Sequence, residues 1–478
     1  MFKTYDVLEP QEITAIHEAS IKVLEETGVF LSHPKAQEAL SALGAKVSDD
    51  RSRVFFPRDL VEKMVAKMPS SFICASRDGN PELELEMKQG NTYMRQVGGP
   101  ISLFDMRSSK EKTLTLQDNI DSALLIDGLE NINVASCMTP QDINPATYDI
   151  AVVKALFENS RKHFWALTTH SSHLKYELEM ALAVAGGAEQ LRKKPPFSGI
   201  FCVIDPLRYP DDEVERLMLY GQYNIPIRVP ITSLIGANAP YTLAGSLTQI
   251  NAEFLSAAVI SQAMCPGIGV WYYTLLQILD MKSGRSVANG PELMIAYAAA
   301  AQMARHYDVP STFSTGTLTD TQSHQALYHY GSTHMLAALM GITEQGGAGS
   351  IQAASFYSHQ ALVLIDESLA YTRKVVNGFE LNADTLATED IKAMAGSGEY
   401  ISSKLTMKYL RKETRFVPKV MDWRQLPMWE SDPTTIVERA AAKAEELIAK
   451  AKTEIPSLPA EVGRELDRLM AAAEKEFN

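Results

Sequence analysis

Between residues 91 and 376, short apolar or β-branched runs alternate with stretches whose apolar residues recur at helical spacing. The runs fall at 93–97, 132–138, 164–169, 197–204, 227–234, 267–273, 310–315 and 342–346. Helical patterns follow them at 116–129, 146–159, 174–185, 213–223, 243–264, 291–307, 323–340 and 358–376. Eight consecutive strand-then-helix units are what a closed (β/α)8 TIM barrel requires, so the pattern predicts an α/β barrel. The alternative is an open doubly wound sheet, which would normally show a glycine-rich phosphate loop after its first strand. Gly98-Gly99-Pro100 lacks the GxGxxG spacing, and no GxxxxGK[ST] sequence occurs, which argues against nucleotide binding.

The flanks read differently. Ile13, Ile16, Ile21, Val23 and Leu24 share one stripe between Pro10 and Gly28, predicting an opening amphipathic helix. Residues 1–90 are expected to form an N-terminal, largely helical extension packed on the barrel of 91–376. Residues 377–478 are expected to be a C-terminal extension: polar helices and turns, a strap over 416–429 with two prolines and two tryptophans, and two amphipathic helices, at 433–452 and 459–477.

Composition narrows the class. With 46% apolar and 22% charged residues the chain is that of a soluble globular protein, and 58 acidic against 45 basic residues (net −13) argue against nucleic-acid or anionic-membrane partners. The start, Met1-Phe2-Lys3-Thr4-Tyr5-Asp6, has no signal core, and no apolar run approaches the roughly 20 residues that span a bilayer, so a cytoplasmic protein is expected. Cys74, Cys137, Cys202 and Cys265 form no CxxC pair and read as small core residues.

The most distinctive stretch is Pro266-Gly267-Ile268-Gly269-Val270-Trp271-Tyr272-Tyr273. Read as a buried strand ending in three aromatic rings, it places Trp271, Tyr272 and Tyr273 at the C-terminal mouth, as a wall for a flat or cationic ligand or as rim packing. Tyr93, Arg95, Phe313, Asp320, Glu344, Phe356 and Tyr357 fall at or near other strand ends. His324, His329 and His334 share one helix, but successive members lie about 140° apart and do not converge on a metal. No metal site and no nucleophile elbow is expected.

Gly341-Ile342-Thr343-Glu344-Gln345-Gly346-Gly347-Ala348-Gly349 and Ser358-His359-Gln360-Ala361-Leu362-Val363-Leu364-Ile365-Asp366-Glu367 carry a family resemblance. With Asp280-Met281-Lys282-Ser283-Gly284, Gly290-Pro291-Glu292 and Thr319-Asp320-Thr321-Gln322, they resemble the trimethylamine methyltransferase family along nearly the whole chain. The resemblance also implies the (β/α)8 barrel. Members acting on trimethylamine carry pyrrolysine near the last barrel strand, whereas 344–354 here holds only ordinary amino acids. The chain therefore looks like the non-pyrrolysine branch. That branch moves a methyl group from a quaternary amine such as glycine betaine, proline betaine, carnitine or γ-butyrobetaine to cobalt(I) of a partner corrinoid protein.

What the resemblance implies about residues follows from that chemistry. A quaternary ammonium offers no N–H, so aromatic faces are its usual partners, and Tyr93, Trp271, Tyr272, Phe313, Phe356 and Tyr357 form the pool for such a cage. Arg95 is the candidate for a betaine carboxylate, or else an ordinary ion-pair arginine. Glu344 and Asp320 are the carboxylates placed to offset the cation, or else structural caps. Cobalamin is expected on the partner rather than on this chain, and a homo-oligomer is expected. Two other readings stay open: a barrel that only binds a quaternary amine, and an unrelated barrel hydrolase or lyase.

Overall fold

The computed structural model describes residues 4–314, 324–352, 354–396, 398–411 and 415–477. A strand begins in each of the eight predicted runs: β1 (Tyr93–Gln96), β2 (Ala135–Ser136), β3 (Phe164–Trp165), β4 (Phe197–Ile200), β5 (Ile227–Ile235), β6 (Val270–Asp280), β7 (Ser311–Ser314) and β8 (Glu344–Ala348). Their order is β1-β8-β7-β6-β5-β4-β3-β2, with every neighbouring pair parallel. A parallel bridge between Arg95 and Val134 closes β1 onto the chain entering β2, where the Gln96 N–H donates to the Val134 carbonyl at 2.9 Å. The sheet is thus a closed eight-stranded (β/α)8 barrel.

The helices follow in register: α1 (Leu116–Gly128), α2 (Tyr148–Asn159), α3 (Ser171–Ala185), α4 (Asp211–Gln222), α5 (Leu243–Met264), α6 (Pro291–His306), α7 (His324–Leu339) and α8 (His359–Val376). Thr115 caps α1, Thr242 caps α5 and Ser358 caps α8, each hydroxyl accepting from the first turn. From Ile250 to Gln262 every residue of α5 is buried, because it is covered on both sides. The barrel lies on one side, and helices Pro10–Glu26, Pro34–Ala42 and Arg58–Val65 lie on the other.

A hairpin of Ser71–Cys74 with Leu85–Lys88 closes the N-terminal end of the barrel. Cys74, Leu85 and Met87 join Val134, Trp165, Ile200, Trp271 and Tyr273 in one interior cluster, and Phe72 meets Trp271 edge-to-face at 4.5 Å. The C-terminal helices Ile436–Glu454 and Ala460–Phe477 pack on the outer helices, the first on α1 and α8 and the second on α2 and α3.

One detail departs from the sequence reading. Strand β6 does not end at Tyr273 but runs on to Asp280, paired with β5 from Ile227–Val270 to Ile235–Ile278. The reason is local: Thr274-Leu275-Leu276-Gln277-Ile278-Leu279 is itself strand-forming. The expected strap of 416–429 is fastened chiefly through backbone N–H groups of Lys419, Val420 and Met421, which donate to the Glu367 carboxylate. Its rings do not lie buried: Trp423 is 60% exposed and Trp429 36%.

Candidate active site

Alternation along the strands sends Arg95, Arg228, Trp271, Tyr273, Thr312 and Glu344 into the barrel. There they form one connected layer. Glu344 Oε1 accepts from Arg95 Nε at 3.0 Å and from Arg228 Nε at 2.9 Å, and Oε2 accepts from Arg228 Nη2. Thr312 Oγ1 also donates to Oε1, at 3.2 Å. All three ionic side chains are buried, Arg95 at 1% exposure and the other two at 0%.

Burial by itself would raise the Glu344 carboxyl. The fields and hydrogen bonds of Arg228 and Arg95 outweigh it and hold the group at about 2. Two guanidiniums share one carboxylate, so the layer carries one excess positive charge at neutral pH. His163, which hydrogen-bonds Ser198 Oγ at 3.0 Å, adds no charge there, because burial and the Arg228 guanidinium push it down to about 3.

The aromatic rings face these internal cations. The Arg95 guanidinium stacks 4.1 Å from the Trp165 ring centroid, and that of Arg228 4.1 Å from Trp271. Such desolvated cation–π contacts are worth about 2 kcal/mol each and offset part of the cost of burying the guanidiniums. Arg95 then reaches upward. Its Nη2 donates to Tyr273 OH at 3.1 Å, and that hydroxyl hydrogen-bonds Ser314 Oγ at 2.8 Å. Ser314 ends β7 and is half-buried, so the relay stops at the C-terminal mouth. Above the floor, half-buried Leu167, Cys202 and Leu275 pack on the same interior cluster and give the mouth apolar walls.

Several candidates sit elsewhere than the sequence reading placed them. Trp271 and Tyr273 lie in the deep interior, because they begin β6 rather than end it. Tyr272 faces outward, packs on Phe254 at 4.4 Å and donates to Asn251 at 3.2 Å. Phe313 also faces outward, against Tyr297 of α6 at 4.4 Å. Tyr93 starts β1 at the N-terminal end, where its hydroxyl donates to the Glu86 carbonyl. There it lines a cavity of about 980 Å³ with Gln345, Asn133 and Arg373, on the face opposite the mouth.

Phe356 and Tyr357 form a short strand paired with Ser102–Asp105 beside the mouth. Phe356 is half-buried against Phe104, while the Tyr357 hydroxyl turns to Ser122 of α1 at 2.7 Å. Arg95 and Glu344 are brought together, as partners of each other. Asp320 lies outside the described residues. Among the described residues no group of His, Cys, Asp or Glu is arranged to hold a metal ion.

The sequence reading did not single out Arg228, Trp165 or Ser314. Arg228 had a legible signal, a single charge inside the apolar run of 227–234, since a buried charge demands a partner. Ser314 carried none.

In parallel barrels that are enzymes the active site sits at the C-terminal mouth, the end to which this polar relay rises. A solved structure of MtmB in complex with hydroxylamine shares the fold: TM-score 0.50, 11% sequence identity, 93% of this chain and 92% of that one covered. The chain belongs to the trimethylamine methyltransferase (MTTB) family, whose model matches residues 1–478. Relatives include trimethylamine methyltransferase MttB of Desulfitobacterium hafniense (strain DSM 10664 / DCB-2), 27% identical over 470 residues, with 98% of this chain and 94% of that protein covered. Glycine betaine methyltransferase of Desulfitobacterium hafniense (strain Y51) is 27% identical over 478 residues, covering 99% and 98%. No helix among the described residues is long and apolar enough to cross a membrane.

Proposed function

We propose that this protein transfers a methyl group from a betaine, a quaternary amine bearing a carboxylate, to cobalt(I) of a separate corrinoid protein. The observation that carries the reading is the single excess positive charge of Arg95, Glu344 and Arg228 beneath the mouth. In a low-dielectric barrel such a charge draws in a carboxylate and repels an ammonium group. A zwitterion therefore enters carboxylate first. A cation without a carboxylate gains no such attraction, is held by the apolar walls alone and binds far more weakly.

The relay supplies the contact. Tyr273 accepts from Arg95, so its own O–H turns to Ser314, and the Ser314 O–H is left to donate to the carboxylate. The trimethylammonium end then rests among Leu167, Cys202 and Leu275, facing outward. Absence of pyrrolysine from 344–354 supports the quaternary-amine branch over trimethylamine. Glycine betaine, proline betaine, carnitine and γ-butyrobetaine all fit the class.

The corrinoid, when its carrier docks, supplies a strong cobalt nucleophile. Exposed Ile101, Ile204, Tyr241, Met281 and Leu327, which follow five different barrel strands, give the C-terminal rim an apolar face suited to such a partner. This chain's own part is to bind, orient and exclude water, since a quaternary amine leaves as a neutral tertiary amine and needs no general acid. Glu344, held ionised far below neutral pH, is then a positioning residue rather than a proton donor.

The test is to mix the protein with reduced cob(I)alamin and glycine betaine, proline betaine, carnitine, γ-butyrobetaine, choline or trimethylamine, and to follow methylcobalamin formation. Turnover with one carboxylated amine, and none with choline or trimethylamine, is expected. Turnover with trimethylamine would refute the proposal. Tight calorimetric binding of one betaine without turnover, even with a corrinoid protein present, would favour a binding protein instead.

A further inference from the structure

The stretch from 377 to 430 stands apart from the rest of the chain. The four short helices among its described residues, Thr388–Met394, Tyr400–Ser402, Lys404–Arg411 and Leu426–Glu430, bury no residue. Among its described residues only Ser403 and Val420 are buried. Yet it is rich in large apolar side chains: Phe379 is 86% exposed, Ile401 77%, Leu381 70%, Leu410 68%, Leu426 66% and Trp423 60%. Together with the other exposed apolar residues of the arm they present on the order of 1,000 Å² of apolar surface, above what a monomer usually leaves open. A standard interface takes about 800 Å² from each partner. The arm leaves the body after α8 and is fastened again where Glu367 accepts the N–H groups of Lys419, Val420 and Met421.

Charge indicates what covers it. The chain carries −13, but the arm holds eight acidic and eight basic residues and is neutral, so the rest of the chain carries the whole excess. Two acidic bodies repel; the arm is the region where two copies meet without that penalty. The arm is also polarised. Residues 377–403 hold five acidic residues and one basic, a net of −4, and residues 404–421 hold six basic and one acidic, a net of +5. Within one arm Lys408 pairs with Asp384, so the helix Lys404–Arg411 lies beside the turn that carries Asp384. A two-fold axis between two such arms would set the acidic stretch of one against the basic stretch of the other, the self-complementarity that an isologous contact requires.

We propose that the 377–430 arm is the dimerisation surface of this protein, and that its partner is the same arm of a second copy. The proposal is independent of the substrate reading and is tested without turnover. Sedimentation or light scattering of the full chain should give an even number of 52.7 kDa chains. The exposed double substitution Phe379→Glu with Leu410→Glu should halve that mass and leave the circular dichroism of the body unchanged.

Charge reversal supplies a positive test. Glu389→Lys with Asp390→Lys in one variant, and Lys404→Glu with Arg411→Glu in another, should each abolish self-association, and their equimolar mixture should restore the dimer. A monomeric or odd-numbered wild-type protein overturns the proposal. So does a Phe379→Glu/Leu410→Glu variant that keeps its full mass. A monomer whose arm substitutions abolish only its binding to a corrinoid protein overturns it too and assigns the arm to that partner.

Discussion

Gly346 faces Arg95 so closely that a methyl group on its Cα would lie 2.3 Å from Nη2 of the guanidinium and 2.8 Å from Ser314 Oγ. The missing side chain is what lets Arg95 turn upward toward Tyr273. Gly346→Ala should therefore displace the arginine without removing a polar group. Overpacking of this kind costs about 1–3 kcal/mol, and the relay to the mouth should break with it. The expected result is a lower denaturation midpoint together with at least a tenfold loss in kcat/KM; retention of full activity would show that the relay is not used.

Glu344→Gln removes the carboxylate that pairs with two buried guanidiniums. Leaving them uncompensated should cost about 3–5 kcal/mol in denaturant unfolding. The acid limb provides a second check. The folded Glu344 sits at about 2, below its ordinary value of 4.5, so its stabilisation is complete above pH 4.5 and disappears as pH falls toward 2. The stability gap between wild type and variant should narrow over that window.

Ser314→Ala leaves the ionic layer intact and removes the last hydroxyl of the relay. For a carboxylated quaternary amine KM should rise about tenfold with little change in kcat, the loss expected for one hydrogen bond to a charged group. Calorimetric binding of choline, which has the same ammonium head and no carboxylate, should not change. Equal weakening of both ligands would place the carboxylate elsewhere.

Glu177 of α3 lies behind β3. It accepts from Thr168 Oγ1 at 2.6 Å, and its other oxygen is buried without a partner. Burial, reinforced by the charge of Asp149, pushes this carboxyl up to about 8. A raised carboxyl destabilises the fold progressively as pH rises from the ordinary 4.5 through 8. Glu177→Gln should therefore melt a few degrees above wild type at pH 8.5 and show little advantage at pH 5; a constant difference across that range would contradict the assignment.

Much of the fold was legible because its signals are local. Eight strand-then-helix units can be counted from apolar periodicity, and α5 appears in the sequence with the bounds it has in the structure, Leu243–Met264. The site was less legible. Whether a residue in a parallel strand faces the lumen or the helices depends on a one-residue phase, and whether it lies at the mouth or the base depends on where the strand stops. Trp271 and Tyr272 illustrate both: neighbours in sequence, one stacks on Arg228 inside the barrel and the other packs on Phe254 outside it.

The sequence by itself determined the barrel, the flanking helices, the acidic balance and the resemblance to a methyltransferase family, all of which rest on periodicity, composition and the order of short motifs. The tertiary structure alone decided that Arg95, Arg228 and Glu344, up to 249 positions apart along the chain, share one buried layer. It also decided that the tryptophans meet the protein's own cations, and that the 377–430 arm leaves its apolar faces uncovered. The physical reason is that charge pairing and burial depend on distance through space, which a closed barrel sets only when its last strand meets its first.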